Sequence, residues 1–185
     1  GHSLARQFGP EQWTLYKGKH LLSFLDNHDV DRIASKLTNP GHLVPAWAMA
    51  FGMPGVPALY YGSEWGLTGA KGHGSDAELR PALERPEWND LTAWISKLAG
   101  AKKGSRALCY GAYRNVVLTN KQIIFERACD GERVLVAINA DSAPYTAHFD
   151  AGCGLAVDLI SGEQHDFGGG SELPPCSAFF WRCER

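Results

Sequence analysis

Two apolar patterns divide this chain. In its first half, Leu21-Leu22-Ser23-Phe24-Leu25 is a near-continuous apolar run. A run of that length without alternation suits a parallel strand buried on both faces. Pro57-Ala58-Leu59-Tyr60-Tyr61 is a second such run, closed by Gly62. Between them, residues 42–51 place Leu43, Val44, Trp47 and Phe51 on one helical face, and Gly52 and Pro54 stop the helix. A short helix with proline in its first turn is expected over residues 10–16. The glycine-rich polar stretch 63–86 predicts a functional surface loop. Asn89 then stands as the cap of a helix whose apolar face is Leu91, Trp94, Ile95 and Leu98. Strand, helix, strand, helix in this order predicts parallel βαβ units.

The second half is built from short strands and turns. Runs 122–127 and 133–139 flank Asp130-Gly131, a strong hairpin signal. Runs 156–160 and 164–167 flank Ser161-Gly162, and 145–149 and 177–182 are further strands. This spacing predicts an antiparallel sandwich. The change of pattern falls at Lys102-Lys103-Gly104-Ser105. The expected fold class is therefore α/β plus all-β, with residues 1–103 in one unit and 104–185 in the other.

Composition narrows the function. A hydrophobic fraction of 44% and a charged fraction of 21% exclude disorder. A net charge of −2 without a basic stripe argues against a nucleic-acid partner. The apolar runs stop well short of the ~20 residues of a helical membrane span, so no membrane partner is expected. The five cysteines are irregularly spaced and form no CxxC pair. They are expected to be free, partly buried thiols in a reducing compartment, which points to the cytoplasm. The seven histidines form no HExxH; no metal site and no cofactor are expected.

The first apolar run ends abruptly in Asp26-Asn27-His28-Asp29. The carboxyl end of a buried parallel strand is where ligands bind in βα folds. Carboxylate and imidazole there can hold adjacent sugar hydroxyls, and a carboxylate can stabilise an oxocarbenium-like charge. An ordinary structural reading is equally open. An acidic residue after a strand often caps the next helix, and Asp29 with Arg32 at i,i+3 makes a surface ion pair. Tyr60, Tyr61 and Trp65 are either core residues or a platform for stacking on sugar.

Phe24-Leu25-Asp26-Asn27-His28-Asp29 resembles the FxxNHD signature at the end of the seventh barrel strand of α-amylase-family enzymes. Residues 55–66, Gly-Val-Pro-Ala-Leu-Tyr-Tyr-Gly-Ser-Glu-Trp-Gly, are similar to the family's GxPxxYYGxExG segment on the eighth strand. Asp76-Ala77-Glu78-Leu79-Arg80 resembles the Asp-x-x-x-Arg element of maltodextrin-type members, and the hairpin-rich tail is similar to the family's C-terminal domain. The resemblance implies the C-terminal part of a TIM (β/α)8 barrel, strands 7 and 8, followed by an antiparallel β-sandwich. It implies that Asp29 is the carboxylate stabilising the transition state and that His28 bonds the same sugar hydroxyls. Asp76 and Arg80 would hold the non-reducing-end sugar, and Asn27 would support the turn. Glu64 matches a structural position. No residue matches the nucleophile or the general acid.

The expected partner is thus an α-glucan or maltooligosaccharide. A full barrel has eight strands, so the two here call for the missing N-terminal part of the enzyme or a homo-oligomer. The expected activity of the whole is retaining hydrolysis of α-glucosidic bonds, with the isolated chain inactive. The competing readings are a non-catalytic amylase-like structural protein and a carbohydrate-binding module. For the latter, Phe179, Phe180 and Trp181 are the candidates, although consecutive strand residues alternate faces.

Overall fold

The computed structural model describes residues 2–9, 14–72 and 75–184. Its first half contains α1 (His2–Phe8), β1 (Leu22–Phe24), α2 (Ile33–Lys36), α3 (Leu43–Gly52), β2 (Val56–Ala58), α4 (Asp90–Gly104) and α5 (Arg106–Tyr110). The second half is all strand: β3 (Ala112–Leu118), β4 (Gln122–Cys129), β5 (Glu132–Asn139), β6 (Tyr145–Ala147), β7 (Leu155–Asp158), β8 (Gln164–Asp166), β9 (Ser171–Leu173) and β10 (Ser177–Cys183). The helix expected over 10–16 falls largely outside the described residues, and residues 15–18 form a turn.

The two predicted strands of the first half pair in parallel, with Leu22 opposite Val56 and Phe24 opposite Ala58. Gly55, at φ +105, enters β2 where a Cβ would stand 2.3 Å from the Leu21 carbonyl. Only glycine permits that approach. Burial on both faces is not found: Leu22, Phe24 and Val56 are exposed. Each strand has one partner in a two-stranded sheet, and among the described residues no further strand covers those side chains. β2 is also shorter than the apolar run, because Tyr60 and Tyr61 leave the strand and enter a turn.

The helices obey their local signals. Asn39 accepts a hydrogen bond from the Gly41 amide at 2.9 Å, leading through a 3₁₀ turn at Pro40–His42 into α3. Asn89 accepts from the Thr92 amide at 3.0 Å in a capping box that opens α4, an arrangement that stabilises a helix by about 1 kcal/mol. Ile95 and Leu98 of α4 are buried, and Leu91 and Trp94 pack at the edge of the same core.

The antiparallel sheet has six strands in the order β3-β4-β5-β10-β7-β8, and β6 and β9 pair separately. Asp130 (φ +48) and Gly131 (φ +77) both take the left-handed conformation that a type I′ hairpin between β4 and β5 requires. Both faces of this sheet are covered. Phe125, Val136, Ile138 and Phe180 pack on Trp47, Phe51, Ile95 and Leu98 from the helices. Ile124, Leu135, Ala137 and Trp181 pack on Ala147 and Leu173 of the small β6–β9 sheet. Double coverage explains why Val134-Leu135-Val136-Ala137-Ile138 is unbroken apolar sequence in an antiparallel strand, where alternation is usual.

One apolar core therefore runs through the 103/104 boundary, which lies at the last turn of α4. Two buried cations sit at this joint. Lys102 donates to the Met53 carbonyl at 2.9 Å, and Arg127 donates to the carbonyls of Gly52 (2.7 Å) and Gly111. Both meet the C-terminal end of α3, where free carbonyls concentrate negative partial charge. Burial, and then the charge of Arg127, pushes the Lys102 ammonium down to about 8. Among the described residues no helix is long and apolar enough to cross a membrane.

Candidate functional site

At the carboxyl end of β1 the chain turns sharply through Asp26-Asn27-His28-Asp29. The turn is an Asx type: the Asp29 amide donates to Asn27 Oδ1 at 2.8 Å. Asn27 thus supports the turn. Asp26 is buried, accepts from Ser63 Oγ at 2.8 and 2.9 Å, and accepts from the Ile33 amide at 2.8 Å. The capping reading of this segment is realised by Asp26, which satisfies the start of α2 and ties the end of β1 to the turn after β2.

Asp29 is not the partner of Arg32. Arg32 is fully buried, so the expected surface ion pair does not form. Its guanidinium donates to the Tyr61 carbonyl (2.6 Å), Ser63 Oγ (3.1 Å) and the Leu79 carbonyl (2.7 Å), and lies 4.2 Å from the centre of the Tyr60 ring. Three carbonyl or hydroxyl acceptors and an aromatic face repay its desolvation better than one exposed carboxylate would. Nothing in the local pattern separates Arg32 from an ordinary surface arginine; its acceptors come from 29 to 47 residues away in sequence.

Arg32 fixes Leu79, and Arg80 follows it. Arg80 reaches back over the turn and donates to the His28 carbonyl through Nε and Nη2, each at 3.3 Å. Its Nη2 also lies 3.4 Å from Asp29 Oδ1 and 3.3 Å from Asp76 Oδ2. His28 Nε2 stands 3.2 Å from Asp29 Oδ2. The four residues singled out in the sequence (His28, Asp29, Asp76 and Arg80) are therefore joined in one cluster, across 46 intervening residues of chain. The cluster faces solvent: the side chains of Asp29 and His28 are more than half exposed. Lys71, which the sequence reading passed over, donates to the Asp29 carbonyl at 3.1 Å.

The aromatic residues divide. Tyr60 lies between the Arg32 guanidinium and the His28 ring, whose centre is 6.3 Å away. Desolvation first, and then the neighbouring Tyr61, raise its hydroxyl above the ordinary range. Tyr61 is exposed, and its hydroxyl donates to the Pro81 carbonyl at 3.0 Å. The main chain of Glu64 and Trp65 is docked on the start of α4, through Thr92 and Asn89. Glu64 makes none of the contacts that join the cluster, and its Oε2 is buried without a hydrogen-bond partner. In the tail, Phe180 and Trp181 are buried, and Trp181 stacks between His165 and Phe179. The three consecutive aromatics thus offer no open platform.

Chemically, the cluster presents exposed carboxylate, imidazole and guanidinium groups within reach of one another. That set both donates and accepts hydrogen bonds and suits vicinal hydroxyls. Among the described residues no group of three or more His, Cys, Asp or Glu is placed to hold a metal ion.

Residues 7–123 match the family model for the alpha amylase catalytic domain. A cyclomaltodextrin glucanotransferase of Niallia circulans is 33% identical over 154 residues, which is 80% of this chain and 20% of that protein. An alpha-amylase of the same organism is 33% identical over 153 residues, 82% of this chain and 27% of that protein. The chain thus spans about a fifth to a quarter of the length of these curated relatives. Among solved structures, the alpha-amylase of Geobacillus thermoleovorans, complexed with acarbose, superposes with a TM-score of 0.78 at 22% identity. That match covers 90% of this chain and 39% of the other.

Proposed function

The chain belongs to the α-amylase family of glycoside hydrolases, and from that premise we propose that it carries the sugar-gripping part of a retaining active site for α-glucosidic bonds. In this reading β1 and β2 are strands 7 and 8 of a (β/α)8 barrel, and residues 104–185 form the β-sandwich that follows the catalytic unit of 1–103. Asp29 stabilises the oxocarbenium-like transition state and grips sugar hydroxyls, His28 bonds the same hydroxyls, and Asp76 and Arg80 hold the sugar at the non-reducing end. A retaining enzyme also needs a nucleophile and an acid carboxylate; neither is assigned to a residue here, so the 185 residues alone do not turn over substrate. The ligand is an α-glucan or maltooligosaccharide, in keeping with the acarbose complex of the Geobacillus relative.

The observation that carries this reading is the joining of Asp29, His28, Asp76 and Arg80 at the open end of a parallel strand pair. The uncovered Leu22, Phe24 and Val56 support its second part, in which the remaining barrel strands of the parent enzyme cover that sheet. NMR titration of the labelled chain with maltotriose tests it. Shifts are expected at His28, Asp29 and Arg80, with about tenfold weaker binding in Asp29→Ala, the loss of one charge-assisted hydrogen bond. Shifts confined to the antiparallel sheet, or turnover of maltooligosaccharide that Glu64→Gln abolishes, would overturn it.

A further inference from the structure

We propose that Cys153 and Cys183 form a dithiol modification site that closes to an intramolecular disulfide when it meets a small-molecule disulfide. The two thiols are near enough to influence each other electrostatically. They also line one open cleft of about 460 Å³, together with Gly131, Arg133, Leu155 and Glu184. Both side chains lie at the margin of the core on the β6–β9 side of the large sheet, so they approach from the same face rather than through it.

The backbone on each side is held. Cys183 closes β10 opposite Ala156 of β7, and the next amide, that of Glu184, donates to the Leu155 carbonyl at 3.0 Å. Cys153 follows a turn clamped by Arg133, whose guanidinium donates to the carbonyls of Ala151 (2.7 Å) and Gly152 (3.3 Å). Arg133 is itself paired with Glu126 at 2.8 Å, so the clamp is anchored in the sheet. The remaining thiols face other partners where these are seen: Cys109 Sγ donates to the Lys102 carbonyl and Cys176 Sγ to the Asp141 carbonyl.

Burial, and then the neighbouring Cys153 thiol, pushes the Cys183 thiol up to about 12. Cys183 therefore waits as the thiol while Cys153 attacks first. The Cys153 thiolate forms a bond to one sulfur of the small disulfide and releases the other as a thiolate. That thiolate, or water, takes the Cys183 proton, and the Cys183 sulfur displaces the second small thiolate from Cys153. Two protein thiols are oxidised and one small disulfide is reduced to two thiols. The Arg133 charge beside the cleft favours both anionic intermediates.

Treatment of the chain with oxidised glutathione, followed by thiol titration in denaturant and peptide mapping, tests the site. The five titratable thiols should fall by two, with the 153 and 183 peptides linked. Cys183→Ser should stop at a glutathione adduct on Cys153 with no cross-link, and Cys176→Ser should cross-link as the parent does. Circular dichroism on each variant separates loss of the pair from loss of the fold. Glutathione adducts without a cross-link in the parent, a link from Cys153 to a different cysteine, or an unchanged thiol count in a folded sample would each overturn the proposal.

Discussion

The run at β1 and the run at β5 look alike in sequence and end differently. Leu22 is 66% exposed, Phe24 48% and Val56 57%, while Val134 to Ala137 are all at 0%. The two strands differ in what covers them. β5 lies between a helical layer and a second sheet, so each side chain meets a packed neighbour whichever way it points. β1 has one parallel partner and an open face. Its order comes from polar groups beyond the strand end: Ser63 donates to Asp26 and accepts from Arg32, which also donates to the carbonyls of Tyr61 and Leu79. β5 is held by apolar volume, and the end of β1 by a buried hydrogen-bond network. An unbroken apolar run thus states a demand for cover on two sides and does not say what supplies it.

That contrast can be pressed with three substitutions. The largest effect is expected for Phe125→Ala, which empties the centre of the core shared by helices and sheet. Chemical denaturation should show a loss of about 4 kcal/mol, the range for deleting a buried ring; a loss below about 1 kcal/mol would mean that the layer does not depend on this packing. Next is Lys102 at the joint. Its folded-state pKa of about 8 lies below the 10.5 of the unfolded lysine. Between those values the unfolded chain holds a proton that the folded chain has released, so stability rises with pH in that window. Below it, the cost of burying the charge is fully present. The stability of the parent relative to Lys102→Met should therefore climb by on the order of 3 kcal/mol from pH 8 to 10.5. A flat difference would remove charge burial as the cause. The smallest effect is expected for Arg32→Met, at about 2 kcal/mol, because the lost hydrogen bonds are partly offset by removing a buried cation. Its signature is local: amide exchange should quicken over residues 60–80 while the protection of β4 and β5 is kept. Uniformly faster exchange would instead make Arg32 part of the global core.

Much of the fold is legible residue by residue. Asn89 with Thr92 marks the start of α4, Asp130-Gly131 marks the β4–β5 hairpin, and Gly52 with Pro54 ends α3, because caps and turns are decided by a few adjacent backbone groups. The candidate site is legible as pieces: Asn27 holds its turn, and His28, Asp29, Asp76 and Arg80 were identifiable from two separated motifs. Arg32 and Lys71 were not, since an arginine or lysine in a polar stretch carries no mark of what it will meet. The strand β3 was also missed; Ala112-Tyr113-Arg114-Asn115 mixes polar and apolar residues, and a bulge between Asn115 and Val117 breaks its alternation.

Sequence alone determined where α4 starts, where α3 ends and where the β4–β5 hairpin turns, because each depends on neighbours along the chain. The tertiary structure decided which apolar runs are covered, that Arg32 is buried, and that one core crosses from helices to sheet. Those outcomes rest on contacts between residues tens of positions apart, whose energies exist only once the chain has closed on itself.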